Sequence, residues 1–445
     1  IAADASERLK KISGGRYAIG QRALTEDAVT EFVFPAAVSE LRDYACKPYN
    51  SPLDFRCLKS ITFLGTDIKI GRGAFDSRTY ADKGIVVKDL VIPDGAELSD
   101  RALGDGYSTD KLVLSGTLTI GKNVKLGEYS LGDISRVKTI TIGEGSILGK
   151  HNFSKLSGVS ITLPSDLREI GEHSFERCTN LKNFVIPDSV EVIGAYAFYE
   201  TDFKTLTLPS SLREIGDYAF QSSKITTLTL PDGVESIGEG AFGYSDLASI
   251  SLSTSLHTIG AYAFSNTKIT AITLPEGLET IGDYAFCGLG ITGITLPSTL
   301  RTIGDSAFAE TSLTALTLPD GLETIGTNAF YNIPVTSDIL LPESLVTVGS
   351  WAFGFDGNMP EAARNRLVYT YVEKKPEGFA TQIANNFSYG GKPGAVGDYE
   401  FVVGKTTAEF IKYNGSDTVL VIPDTCDGKP VTGIRSGALD NLRSV

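Results

Sequence analysis

The stretch LPSSLREIGDYAFQSSKITTLTL, residues Leu208 to Leu230, decides the fold, because the same pattern begins again at its last residue. Leu230 to Leu252 reads LPDGVESIGEGAFGYSDLASISL, and further copies begin at Leu274 and Leu296. The shared pattern is L-P-x-x-L-x-x-I-G-x-x-A-F, four variable residues, and then I/L-x-x-L-x-L. Self-similarity at a fixed period is the sequence signature of a repeat architecture, in which each repeat forms one turn of a stack.

The glycine of the Ile-Gly step, here called the register glycine, marks one position in each turn. Successive steps between Gly127 and Gly349 are 22 or 23 residues, whereas those between Arg42 and Gly127 are 28 or 29, so the earlier turns carry longer loops. Arg42 and Ser99 replace the glycine in two degenerate turns. The sequence therefore predicts fifteen turns, with register positions at Gly20, Arg42, Gly71, Ser99, Gly127, Gly149, Gly171, Gly194, Gly216, Gly238, Gly260, Gly282, Gly304, Gly326 and Gly349.

Each position of the repeat has a physical role. Leu206 and Leu208 flank Thr207 in the period-two alternation of a strand, and Pro209 ends that strand because it cannot donate to a ladder. Gly216 permits either a tight bend or a close backbone approach between stacked turns. One turn cannot bury enough apolar surface to fold alone, so neighbouring turns must cover both of its faces. We predict a mainly β solenoid with one continuous curved sheet and little helix.

The repeat resembles that of the BspA-like leucine-rich repeat family of bacterial surface proteins. The resemblance rests on IGDYAF at Ile215–Phe220 and Ile281–Phe286, on IGAYAF at Ile193–Phe198 and Ile259–Phe264, and on the LTLP or ITLP strands. It implies a leucine-rich repeat solenoid that is secreted or displayed on the cell surface. It also implies adhesion to a host or matrix protein or glycan, and it supplies no catalytic residues.

The array in this register covers residues 1–353, with residues 1–18 as an N-terminal cap. The segment Ala3–Ile12, with its SERLKK core, predicts a short capping helix. The chain begins without an initiator Met, so we expect a mature or trimmed form.

Beyond Phe353 the register is lost, and residues 354–398 are predicted to close the array. Within them, Arg366–Val372 predicts a final strand and Pro376–Asn385 a short helix, before a Gly-rich linker, SYGGKPGAVGD. Residues 399–445 resemble the opening turn of a further array, so the natural chain is expected to continue or this turn to dock onto the first array.

Composition excludes several classes of partner. Forty Lys and Arg against 54 Asp and Glu leave a net charge of −14, which argues against nucleic acid and against an anionic membrane surface. No apolar run approaches the ~18 residues that span a bilayer. An odd number of scattered cysteines is not a disulfide framework, so free thiols are the favoured expectation at Cys46, Cys57, Cys178, Cys287 and Cys426, with a Cys46–Cys57 pair as the alternative.

The three histidines offer little for catalysis. No serine or cysteine has a placed histidine partner, so we predict no enzymatic activity and no cofactor. His151 and His173 each lie two residues after a register glycine in adjacent turns, so they should stack about 5 Å apart, near enough to share a metal. No third ligand recurs beside them, and His257 is expected at the surface, so we predict no bound metal.

The position two residues after the register glycine, here called the outer ring column, carries an aromatic ring or a histidine in nine of fifteen turns. Packing is the favoured interpretation, since stacked rings seal one flank of a solenoid. The alternative is a row of rings that docks sugars or peptide. The nine residues are Tyr44, Tyr129, His151, His173, Tyr196, Tyr218, Tyr262, Tyr284 and Trp351.

The outward strand residues form the predicted binding surface, and an aromatic-rich segment after the array is a candidate for a sharper site, although a hydrophobic cap over the last turn is the favoured interpretation of that segment. The strand residues are small and polar, so weak, multivalent contact is expected there. The function we favour is a non-enzymatic extracellular or cell-surface scaffold for protein or glycan binding; the alternative is a spacer with no ligand of its own. The candidate residues are Thr205, Thr207, Thr227, Thr229, Thr273, Thr295, Thr317, Tyr369 and Tyr371.

Overall fold

The computed structural model describes residues 9–11, 17–19, 31–45, 59–75, 86–104, 112–372, 375–415 and 420–439. The chain divides into two compact units, Ile1–Leu247 and Ala248–Val445, which we describe one at a time.

In the first unit, a short strand directly precedes almost every register position. The last residue of this strand is a buried Ile, Leu or Val wherever side chains are described. Parallel ladders join the strand to its equivalents in neighbouring turns. An isolated parallel bridge from Lys125 to Ile147 marks the turn of Gly149. The strands are β1 (Leu9–Lys11), antiparallel to β2 (Tyr17–Ile19), then β4 (Val38–Leu41), β6 (Lys69–Ile70), β8 (Glu97–Leu98), β10 (Lys125–Leu126), β13 (Glu169–Ile170), β14 (Val192–Ile193), β15 (Glu214–Ile215) and β17 (Ser236–Ile237).

A second set of strands in this unit runs up to the bend that contains the proline. They pair in parallel with the same set in neighbouring turns, so the turns that have both strands contribute to two sheets. The expectation of one continuous sheet is corrected here, because the strands divide into several sheets, and some turns form a strand both before and after the bend. These strands are β3 (Glu31–Phe34), β5 (Ser60–Phe63), β7 (Val86–Ile92), β9 (Val113–Ile120), β11 (Asp133–Ile142), β12 (Ser160–Thr162) and β16 (Thr227–Thr229).

The second unit continues the strands at the register position, whereas strands of the other set occur in only some of its turns. The strands at the register position again pair in parallel, with Ile281 opposite Ile303 and Ile303 opposite Ile325. They are β19 (Thr258–Ile259), β20 (Thr280–Ile281), β21 (Thr302–Ile303), β22 (Thr324–Ile325) and β24 (Thr347–Val348). The other set comprises β18 (Ser249–Ser251), β23 (Ile339–Leu340), β25 (Val368–Tyr369) and β26 (Phe387–Ser388).

The third side of each turn consists of tight bends that carry a column of phenylalanines, four residues after the register glycine. We call it the inner Phe column. Its rings are fully buried and stack within each unit with centroids 5.1–5.7 Å apart and planes within 17° of parallel. The column consists of Phe153, Phe175, Phe198, Phe220, Phe242, Phe264, Phe286, Phe308, Phe330 and Phe353.

In the regular turns around Gly326, the register glycine allows a close approach of the backbone and does not form a tight bend. A Cβ on Gly326 would lie 2.5 Å from the backbone nitrogen of Asp305 and 2.5 Å from the carbonyl carbon of Gly304, in the turn below. The left-handed backbone occurs two residues later instead, on Tyr284 (φ 56°) and Asn328 (φ 56°). Bulky side chains rarely adopt that conformation, so the stacked turns must hold it in place.

The stack continues for one turn beyond Phe353, which the sequence pattern did not predict. The backbone N–H of Ala380 donates to Val348, as the N–H of Gly349 does to Ile325, both at 2.8 Å. The helix predicted for Pro376–Asn385 was therefore wrong, because these residues form an irregular turn of the array. Arg366–Val372 does contain a strand, Val368–Tyr369, as predicted. The glycine and the Ala-Phe pair are replaced in this turn, which conceals its register.

A short helix and a buried arginine close this end of the array. The helix α1 spans Glu361–Arg364, and Arg366 follows it with only 2% of its surface exposed. Its guanidinium donates to the carbonyl oxygens of Ile333 (2.8 Å) and Phe353 (3.1 Å). Burial lowers the pKa of Arg366 to about 10, so it remains charged at neutral pH.

The C-terminal residues form a separate sheet of β27 (Lys392–Val396), β28 (Tyr399–Val403), β29 (Ala408–Tyr413), β30 (Thr425–Cys426) and β31 (Lys429–Ile434). The prediction that the Gly-rich segment is a linker was wrong, because β27 lies within it and pairs antiparallel with β28. Phe401, Phe410 and Cys426 form the core of this sheet. The predicted N-terminal helix is wrong for residues 9–11, which form β1, and the rest of Ala3–Ile12 lies outside the described residues.

Candidate functional site

The seven threonines predicted to form a binding surface are all exposed, and the Ile or Leu residues between and beside them point inward. In the second unit, Thr273, Thr295 and Thr317 line a shallow depression of about 410 Å³. The small residues Gly293 and Ala315 also line it, which leaves room above the backbone. This face can offer hydroxyl groups at the spacing of the turns, with no large side chain in the way.

The two predicted tyrosines are placed differently from the threonines. Tyr369 is buried, with 8% of its surface exposed, so its ring is not available to a ligand and this part of the prediction was wrong. Tyr371 packs edge-on against it at 5.8 Å, and the ammonium of Lys392 lies 5.2 Å from the Tyr369 ring centre. Lys392 also binds the carboxylate of Asp338 at 2.7 Å. This cluster packs the C-terminal sheet against the last turns.

The outer ring column is a stack of parallel rings, as the packing interpretation predicted. In the first unit, the rings of Tyr129, His151, His173, Tyr196 and Tyr218 follow one another at 4.3, 4.1, 4.6 and 4.8 Å. Every one of these residues has a left-handed backbone. In the second unit, the rings of Tyr262 and Tyr284 stack at 4.8 Å. Only ring edges face the solvent inside such a stack, so docking of sugars on ring faces is not favoured there.

The two histidines in this column have a carboxylate beside them. Oε2 of Glu176 lies 2.8 Å from Nδ1 of His173 and 3.6 Å from Nδ1 of His151. All three side chains are largely covered, with 13–20% of each exposed. Burial lowers the pKa of His151 below its ordinary value, and the neighbouring His173 lowers it further. The expectation that no third potential ligand lies beside the histidine pair was wrong.

Comparison with protein-family models identifies the repeat. The model described as the BspA type leucine rich repeat region matches six copies, over residues 115–223, 146–270 and 257–363. The chain belongs to the BspA-type leucine-rich repeat family. No curated protein matches this leucine-rich repeat chain.

Comparison with solved structures finds proteins that are similar to this BspA-type chain. A leucine-rich repeat protein from Bacteroides ovatus is 22% identical, with 86% of this chain and 90% of that chain covered and a TM-score of 0.51. The pneumococcal vaccine antigen PcpA is 15% identical, covers 82% and 79%, and has a TM-score of 0.34. A leucine rich cell surface protein from Faecalibacterium prausnitzii is 17% identical, covers 86% and 93%, and has a TM-score of 0.33. At 22% identity the likeness to the Bacteroides ovatus protein shows the fold alone.

A groove of about 840 Å³ runs along the register glycines of the BspA-type turns in the first unit. Sequence reasoning did not single out this surface. Its walls include the exposed strand residues Glu169 and Glu214 and the ion pair between Lys150 and Glu172. Acidic side chains outnumber basic ones along it, so it repels anionic ligands.

The described cysteines of this leucine-rich repeat chain are free thiols, as predicted. Burial raises the pKa of Cys178 to about 12, so it carries no reactive thiolate at neutral pH. Burial also raises the pKa of Cys287 and of Cys426. Cys46 and Cys57 lie outside the described residues. Among the residues that the structure describes, no helix has the length and apolarity needed to cross a bilayer.

Proposed function

We propose that this chain is a non-enzymatic scaffold, secreted or displayed at the cell surface, that adheres to a host or matrix protein or glycan. The single observation that carries this proposal is the exposed threonine face of the second unit, where Thr273, Thr295 and Thr317 line one depression. The membership of the BspA-type family supports it.

The threonine face suits weak contacts that are repeated from turn to turn. Hydroxyl groups donate and accept hydrogen bonds, and small residues beside them let a sugar ring or an extended peptide approach the backbone. Anchors such as Trp and Arg, which dominate tight interfaces, do not line this depression. Affinity therefore comes from multivalent attachment and not from one site.

A matched pair of variants tests the proposal. The first replaces Thr273, Thr295 and Thr317 with Arg; the second makes the same change at Thr280, Thr302 and Thr324, which lie in the same turns but on the strands β20, β21 and β22 at the register position. Binding of the whole chain is measured on a panel of immobilised matrix proteins and glycans. The first variant should lose at least tenfold in affinity, about 1.4 kcal/mol, and the second should bind like the parent.

Two results would contradict the proposal. Equal binding by both variants would place the ligand elsewhere on the molecule. No binding by the parent chain at any density would favour the alternative, in which the array is a spacer that holds other domains away from the cell.

A further inference from the structure

Two departures from the repeat occur together in the turns of Gly149 and Gly171. The outer ring column, which carries tyrosine in most neighbouring turns, carries His151 and His173 there. The residue five positions after the register glycine is acidic only at Glu176 among the turns from Gly127 to Gly349; elsewhere it is Gly, Ser, Tyr, Gln, Cys or Ala. The repeat itself requires none of the three residues.

The fold brings these three side chains to one point. The imidazole rings stack at 4.1 Å, and both Nδ1 atoms face Oε2 of Glu176. One potential ligand atom from each residue lies within 4.8 Å of the other two. Ligands around a tetrahedral zinc ion lie about 3.3 Å apart, given bonds of about 2.0–2.1 Å. The two nitrogen-to-oxygen distances of 2.8 and 3.6 Å lie on either side of that value.

The charged side chains around Glu176 leave its Oε2 atom directed at the two histidines, where it can act as a metal ligand. Oε1 of Glu176 faces Arg177 at 3.6 Å, and Arg177 binds Glu200 more closely, at 2.8 Å, which leaves Oε2 directed at the histidines. On the other edge of the His173 ring, Nε2 lies 3.6 Å from Oε1 of Glu172. This distance is longer than a hydrogen bond, but a small shift would let the Glu172 carboxylate accept the ring N–H, which orients a metal-bound imidazole and strengthens it as a ligand.

We propose that His151, His173 and Glu176 bind one divalent transition-metal ion, with Zn²⁺ as the reference ion, on the flank of the first unit. Two imidazole nitrogens and one carboxylate oxygen are a ligand set that zinc accepts, whereas calcium requires six or more oxygens. The rings must turn slightly out of the stack so that their Nδ1 lone pairs converge. Partial exposure at the edge of the stack allows this rotation. The remaining coordination positions face the solvent, where water or an external ligand can occupy them.

Titration calorimetry of the whole chain with ZnCl₂, after removal of metals with a chelator, tests the site. The parent chain should bind one zinc ion per chain. His151→Tyr and His173→Tyr restore the residue of neighbouring turns, so the stack and the fold should persist while zinc binding is lost. Glu176→Gln keeps the shape of the side chain and removes its charge. Each of the three should weaken binding by more than about 100-fold, since removal of a supporting second-shell partner alone costs 10–100-fold.

Two further measurements make the outcome decisive. His257→Asn changes the remaining histidine, which lies far from this cluster in sequence and contacts the carbonyl oxygen of Gly277, and it should bind zinc like the parent. X-ray absorption at the zinc edge should show nitrogen and oxygen neighbours only. The proposal is overturned if the parent binds no zinc, if the tyrosine variants bind it equally, or if sulfur appears in the coordination shell. Thermal melting of each variant shows whether a loss of binding reflects unfolding.

Discussion

The inner Phe column and the outer ring column lie two residues apart in the same turns, yet they differ in burial and in how much their residue types vary. Each phenylalanine of the inner column is fully buried, and its identity never changes from Phe153 to Phe353. The outer column keeps its left-handed backbone in every turn that the structure describes from Arg42 to Gly349, but its side chain varies among Tyr, His, Gly, Arg, Ser, Asn and Trp. The first column therefore specifies the fold, and the second is the place where individual turns can differ without loss of the array.

The largest expected effect comes from placing a charge among the inward residues. Ile259 is fully buried between turns, and Ile259→Asp would leave an unpaired carboxylate there. We expect destabilisation of at least about 4 kcal/mol and loss of the cooperative thermal transition. Thr258→Asp, one residue earlier and exposed, should change the midpoint little. Similar melting of the two variants would contradict the assigned register.

Truncation within one turn compares the two columns directly. Phe286→Ala opens a cavity in the inner column and should cost about 3–5 kcal/mol in urea unfolding. Tyr284→Ala removes a ring that is 36% exposed and should cost about 1 kcal/mol, mainly its stacking on Tyr262. Equal costs would mean that the outer column also contributes to the core.

The end of the inner column depends on Arg366. Arg366→Met should cost about 2–4 kcal/mol, because the carbonyl oxygens of Phe353 and Ile333 would be buried without a donor, although the cost of burying the charge is relieved. Arg364→Met, on the exposed side of the same helix, is the matched control. Urea unfolding that is unchanged by Arg366→Met would show that this segment does not cap the array.

The smallest effect concerns the backbone of the outer column. Tyr284 has a φ of 56°, which glycine adopts without strain and alanine does not. Tyr284→Gly should therefore be more stable than Tyr284→Ala by about 1 kcal/mol in urea unfolding. The opposite order would show that the left-handed conformation at this position relaxes when the ring is removed.

Several features of the array follow from the sequence because they depend on the period alone. The register positions from Arg42 to Gly349, the inward leucines, the exposed threonines and the stacking of His151 on His173 could all be predicted, whereas Gly20 lies outside the described residues. Each requires only that equivalent residues of successive turns lie one above the other, about 4.8 Å apart. Residues that break the period were predicted poorly, as the missed turn around Ala380 and the burial of Tyr369 show.

The sequence by itself determined which residues lie in the same column, whereas the tertiary structure decided which columns meet. Glu176 is three residues after His173 along the chain, and only the left-handed bend at His173 directs both side chains to the same side of the turn. The register glycines show the same division between sequence and structure. The sequence allowed either a tight bend or a close backbone approach, and the 2.5 Å distances at Gly326 show that it is a close approach. Column membership depends on spacing along the chain, but convergence of columns depends on backbone angles that a repeat pattern does not contain.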